Sequence, residues 1–231
     1  MKKHHNSNRA ILVLECPWDL DEGTSNRSSV LPFIEGIAKL AGDTEVYHAN
    51  FYDKQSFKKA LGYLCRSSFQ NAVVYVAAHG YRNKIAGVSI IDLLCEIGFE
   101  AKNCNITGVM LGSCYVGKEN YAMEACTEGT HIKWCAGYTS SCLWLEGTMI
   151  DSAIIATMLS LDEDDYEHKE HLIGQIASAI RPFSRSFVIG DDYKGNPVTL
   201  QQSLQFVVQP RGQGNRAKTV SAEVFQAYEA C

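Results

Sequence analysis

The chain reads as an α/β protein built on a mostly parallel sheet with helices on both faces. Three observations predict this. Continuous apolar runs of strand length recur at Ala10–Cys16, Ala72–Ala78 and Ile106–Gly112, the pattern of strands buried on both faces. Segments of helical periodicity separate them, so strand and helix alternate along the chain. The 231 residues are 46% hydrophobic and 20% charged, an ordinary balance for a globular protein that buries a sizeable core.

In chain order, residues 1–9 are polar and read as a flexible N-terminus ahead of one domain spanning 10–231. Ala10–Cys16 is the first strand, and a Ser/Gly/Asp-rich loop follows from Pro17 to Ser29. Val30–Ala41 has helical spacing and stops at Gly42. Glu45–His48 is a short second strand, and Asp53 is placed to cap a helix running to Cys65. Ala72–Ala78 is the third strand, with a small hairpin strand at Ile85–Ser89 and a helix over Ile90–Phe99 behind it. Ile106–Gly112 is the fourth strand, Lys118–Cys126 a short helix and His131–Thr139 the fifth strand. Leu145–Leu161 is a long helix, and another around His171–Ile180 is stopped by Pro182. The segment 181–231 has short strands at Ser186–Ile189 and Leu204–Val208 and a closing helix at Val220–Tyr228; it reads as an antiparallel edge or a lid.

Charge and cysteine usage narrow the function. A net charge of -5 and a pI near 5.8 argue against non-specific binding to nucleic acid or to a membrane surface. Met1-Lys2-Lys3 leads into polar residues, and no apolar run exceeds strand length, so neither a signal peptide nor a membrane span is expected. Nine cysteines, an odd number, read as free thiols in a reducing cytoplasm, with Cys16, Cys95 and Cys135 as small hydrophobes inside apolar runs. There is no CxxC pair, and Cys126, His131, Cys135 and Cys142 lack zinc-knuckle spacing; no metal and no other cofactor is expected. Leu161–Glu170 lacks the glycine of a calcium loop, and His168 and His171 read as surface residues. Gln209–Arg216 (QPRGQGNR) follows no βα crossover and reads as a loop that is ordered, moved or cut on activation.

The chemistry concentrates at two strand ends. In an open parallel sheet, reactive groups gather at the carboxyl ends of the strands. The third strand runs into His79-Gly80 and the fourth into Gly112-Ser113-Cys114. A thiol and an imidazole there form a nucleophile and its base. The backbone N–H groups of Gly80 and Cys114 are candidates for an oxyanion hole. Glu15, Asp19 and Asn83 are placed by strand-end position as candidates to orient His79.

An apolar strand ending in His-Gly, then one ending in a small residue and Cys, resembles the dyad motifs of caspase-like cysteine peptidases. That group includes caspases, metacaspases, legumains, gingipains, separases and bacterial CHAT proteins. The resemblance covers Ala10–Leu161 in strand order and implies a caspase-like fold, His79 as general base or orienting group, and Cys114 as nucleophile. The stretch from Ala136 (AGYTSSCLWLEGTMIDSA) is similar to the strand, Trp-containing loop and helix that build the P1 pocket. The match departs from caspases in detail. Gly112 stands two residues before the nucleophile, where caspases place Gln and metacaspases Asp. Trp144 is followed by Leu145 and Glu146, without the caspase Arg. Cleavage after Asp is therefore not expected; an acidic pocket group would select Arg or Lys. Glu146 is the first candidate and Asp151 the second, with Trp144 beside them, and Glu146 also suits a solvated helix N-terminus.

The expected function is a cysteine endopeptidase acting on protein or peptide substrates. The resemblance to bacterial CHAT proteins implies regulated proteolysis in defence or programmed death, restrained by a small signalling molecule, a protein partner or self-cleavage. The alternative is an inactive ligand-binding or sensor module of the same fold. A flavodoxin-like amidase or esterase is disfavoured by the His-then-Cys order and the missing GxSxG elbow.

Overall fold

The computed structural model describes residues 9–17, 29–117, 120–212 and 214–230. Of the expected flexible stretch 1–9, residues 1–8 lie outside the described residues, as do most of the loop after the first strand and with it Asp19, whereas Arg9 is the first residue of the first strand. The elements in order are β1 (Arg9–Glu15), α1 (Leu31–Ala41), β2 (Thr44–Asn50), α2 (Lys54–Leu64) and β3 (Asn71–Ala77). Three two-residue strands follow, β4 (Gly80–Tyr81), β5 (Lys84–Ile85) and β6 (Val88–Ser89), then α3 (Ile90–Cys104) and β7 (Ile106–Gly112). Next come α4 (Asn120–Thr127), β8 (Trp134–Tyr138), α5 (Trp144–Leu159), a 3-10 turn (Glu163–Tyr166) and α6 (Lys169–Ile180). The chain closes with β9 (Val188–Asp191), β10 (Pro197–Thr199), α7 (Leu200–Ser203), β11 (Leu204–Val208), β12 (Lys218–Thr219) and α8 (Ser221–Ala230).

Seven strands form the central sheet in the order β12-β11-β8-β7-β3-β1-β2. The five from β8 to β2 are parallel; β11 and β12 join antiparallel beyond β8. The expected mostly parallel sheet is therefore present, and part of the C-terminal segment extends it. β1, β3 and β7 are buried almost throughout because both faces are covered. Alternate side chains feed two cores. Val73, Tyr75, Met110 and Tyr138 pack under α1, α5, α6 and α8, while Val74, Val76, Val109 and Leu111 pack under α2, α3 and α4.

Local chemistry sets the helix ends. Asp53 caps α2 by accepting the Ser56 N–H at 2.7 Å, and the Ser56 hydroxyl accepts the Asp53 N–H at 2.9 Å. α3 runs to Cys104, five residues beyond the expected boundary, and Asn105 caps it in the left-handed conformation. β8 starts at Trp134, later than expected, although the Lys133 N–H still bonds the Thr107 carbonyl of β7 at 2.6 Å. Of the cysteines expected as buried hydrophobes, Cys135 is buried, Cys16 half-buried and Cys95 exposed. Cys95 sits on the outer side of α3, its sulfur 3.7 Å from that of Cys126. No helix among the described residues is long and apolar enough to cross a membrane.

Candidate active site

Strand register brings the two predicted catalytic residues level. β3 and β7 are adjacent and parallel, with Ala77 paired to Gly112. His79 lies two residues past Ala77 and Cys114 two residues past Gly112, so both emerge from neighbouring strands at the same height. Adjacent strands lie about 4.8 Å apart, a spacing an imidazole and a thiol can bridge. The chain crosses closely here: a Cβ on Gly80 would lie 2.0 Å from the Cys114 carbonyl oxygen, so only glycine fits behind His79. His79 is exposed and Cys114 half-buried.

The loops around Cys114 are laced together. The Cys142 N–H donates to the Cys114 sulfur at 3.3 Å. The Tyr115 N–H bonds the Ser140 carbonyl at 2.9 Å and the Gly117 N–H bonds the Tyr138 carbonyl at 2.7 Å. Tyr115 holds a left-handed φ of 61°, a conformation a bulky residue adopts only when its surroundings enforce it. Burial pushes the Cys114 thiol up; the Cys142 N–H and its own N–H oppose this, and the Asp151 charge adds to it. The resting sulfur is thus a thiol that needs a base to become a nucleophile.

Beside Cys114 opens a narrow cleft of about 20 Å³, room for about one water, walled by Tyr75, Tyr138, Cys142, Trp144 and Asp151. Asp151 is 2% exposed. It accepts the Tyr75 hydroxyl at 2.8 Å and the Tyr138 hydroxyl at 2.7 Å. Burial raises its pKa to about 7 against the pull of those two hydroxyls. A Cβ on Gly112 would fall 2.6 Å from the Asp151 carboxylate and 2.5 Å from the Tyr75 ring. Asp151 therefore reaches from α5 into the space a side chain two residues before Cys114 would fill. Trp144 packs edge-to-face on Phe33 at 5.8 Å, and its buried indole N–H has no hydrogen-bond partner among the described residues. Glu146, the first pocket candidate from sequence, is in the first turn of α5 but is not among the residues walling the cleft.

The orienting candidates separate. Glu15 is fully buried at the end of β1 and is committed elsewhere, to the Ser29 hydroxyl at 2.8 Å, the Val30 N–H at 3.0 Å and His48 at 3.1 Å. Asn83 sits in the β4–β5 turn with a left-handed φ of 62°.

Sequence reasoning missed three tyrosines that tie the site together. Tyr193, in the β9–β10 turn, stacks on Tyr115 with centroids 4.1 Å apart and meets Tyr81 edge-on at 6.1 Å. Its hydroxyl accepts the Arg82 N–H at 3.3 Å, and the Tyr115 hydroxyl donates to the Asp191 carbonyl at 3.1 Å. The residue after Gly80 and the residue after Cys114 thus meet on one aromatic from the C-terminal segment. No spacing in the sequence announces this; the GDDYKGNP stretch reads only as a turn.

No family model and no curated protein sequence matches the chain. Among solved structures it resembles a secreted C11 cysteine protease from Bacteroides thetaiotaomicron, "iotapain". The TM-score is 0.51 at 11% sequence identity, over 95% of this chain and 68% of that one. The two share a fold, and the mostly parallel seven-stranded sheet flanked by helices is caspase-like.

Proposed function

We propose that the chain is a cysteine endopeptidase that cleaves after Arg or Lys. The observation that carries this reading is the level placement of His79 and Cys114 at adjoining strand ends, beside a cleft with a buried carboxylate. His79 takes the thiol proton as Cys114 attacks the P1 carbonyl carbon, forming the C–S bond. The carbonyl oxygen gains the electron pair, and the N–H groups of Gly80 and Cys114 stabilise it. The imidazolium returns the proton to the leaving amine as the peptide C–N bond breaks. Water, deprotonated by His79, then hydrolyses the thioester and releases the thiol.

Asp151, not Glu146, is the group that selects a basic P1 residue, with Trp144 as a pocket wall. A guanidinium or ammonium entering that cleft as it widens supplies the positive charge the buried carboxylate lacks, forming a charge-assisted pair. The acid comes from α5, which accommodates glycine at position 112.

The raised, half-buried thiol supports a latent resting enzyme, consistent with activation by a ligand or partner. A role in defence or programmed death rests on the sequence resemblance alone. The second reading, an inactive binding module, draws on the same raised thiol. Fluorogenic peptides with Arg, Lys, Asp, Asn or Leu at P1, with and without cell extract, decide between them. Arg or Lys cleavage by wild type that is lost in Cys114→Ala is the expected result. No turnover under any condition, with Cys114 inert to iodoacetamide, would establish the binding module.

A further inference from the structure

A second cleft opens at the other end of the sheet, with a volume of about 370 Å³, near the lower end of the range for small-molecule sites. It lies at the amino ends of the strands whose carboxyl ends carry the catalytic residues. Asn71 opens β3, Thr107 is the second residue of β7, and Lys133 immediately precedes β8. Its floor is a closed polar network. The Asn71 amide donates to the carbonyls of Leu159 and Leu161, each at 3.1 Å, and to the Tyr166 hydroxyl at 3.0 Å, while the Thr107 hydroxyl donates to Asn71. Asn71, Thr107 and Tyr166 are buried, so the floor is rigid.

Three basic side chains line this cleft: His131, Lys133 and Arg211. Lys133 is half-buried, and no side chain among the described residues pairs with it. Burial and the Arg211 charge both push its pKa down, and the same environment pushes down His131. The cleft's two acids are exposed and already paired, Glu163 with Arg211 at 2.8 Å and Asp162 with Arg9 at 3.1 Å. A desolvated lysine facing another cation is unfavourable unless a negative charge joins them. Arg211 belongs to the QPRGQGNR loop, whose Gly212 and Gly214 hold left-handed φ angles of 122° and 87°.

We propose that this cleft binds a small phosphate-bearing molecule, with Lys133 and Arg211 on the phosphate oxygens and His131, held by the Asn105 side-chain oxygen, at its edge. An ammonium beside a planar guanidinium suits adjoining phosphate oxygens. The volume exceeds what an inorganic ion needs, and the exposed Gln70 side chain is left to contact the organic part. The proposal does not depend on the peptidase reading, because its test measures binding.

Isothermal titration and thermal melting with pyrophosphate, ATP and sulfate at constant ionic strength test it. Saturable binding of pyrophosphate or ATP is expected, tighter than sulfate, with a rise in melting temperature. Lys133→Met and Arg211→Gln should each weaken it at least tenfold, and Lys58→Met, at an exposed lysine paired with Glu96, should leave it unchanged. Without ligand, Lys133→Met should melt no lower than wild type, since it removes an unpaired desolvated charge. Should Lys133→Met fail to fold, the exposed Arg211→Gln decides alone. Absence of saturable binding, equal affinity for sulfate, or affinity unchanged in Arg211→Gln overturns the proposal.

Discussion

The two ends of the sheet are built on the same strands and carry opposite charge. At the carboxyl ends of β3 and β7, Asp151 is buried among tyrosines with no cation, and its pKa rises to about 7. At the amino ends, Lys133 is half-buried beside Arg211, whose own anion is Glu163, and the lysine's pKa falls. In each case desolvation works against a charge whose partner is missing from the chain itself. Under the two proposals, the difference makes each end complementary to a different class of molecule: a cationic side chain at one, an oxyanion at the other.

Removing the nucleophile is the largest break. Cys114→Ala should abolish peptide cleavage, a loss of at least about 10³-fold, read with the fluorogenic panel. His79→Ala should approach the same loss, because the buried thiol is not self-activating.

Removing the carboxyl-end charge comes next. Asp151→Asn should lower kcat/KM for Arg substrates by about 10²-fold, the scale of losing one partner of a buried charge pair, and barely affect Leu substrates.

The titration of Asp151 sharpens the comparison. Its carboxyl holds a proton to about pH 7 in the fold, against an ordinary 3.8. Between those values the folded state binds more protons than the unfolded chain, so this group's contribution to stability is complete at low pH and declines as pH rises toward 7. Urea midpoints from pH 4.5 to 8 should decline less in Asp151→Asn than in wild type. The ratio of Arg to Leu kcat/KM should rise through about pH 7, because Cys114 ionisation affects both substrates and cancels.

The smallest effect is expected outside the sheet. Tyr193→Ala removes the stack on Tyr115 and should cost about 1 kcal/mol of stability by urea unfolding, together with a raised KM.

The sequence made the sheet legible where burial is two-sided. β3 and β7 are unbroken apolar runs, and their ends mark His79 and Cys114 without any long-range information. The short elements, β12 and α7, were not legible, because two to four residues carry too little periodicity to stand out. Asp151 carried a signal that could have ranked it above Glu146. Trp144, Gly147, Thr148 and Asp151 recur at three- and four-residue steps and all wall the cleft, while Glu146 falls off that helical face. The cation cleft had no such signal, since Lys133 and Arg211 are distant in sequence and meet only through tertiary folding.

The placement of Asp151 has a consequence for how such a protein can change. On the proposed reading, recognition and bond-breaking are housed in separately replaceable pieces: the carboxylate rides on α5, the sulfur on the loop after β7. A lineage could exchange the helix residue and acquire a new preference while leaving the β7 end untouched. Where the acid stands two positions before the cysteine, the same exchange would disturb the segment that aims the sulfur.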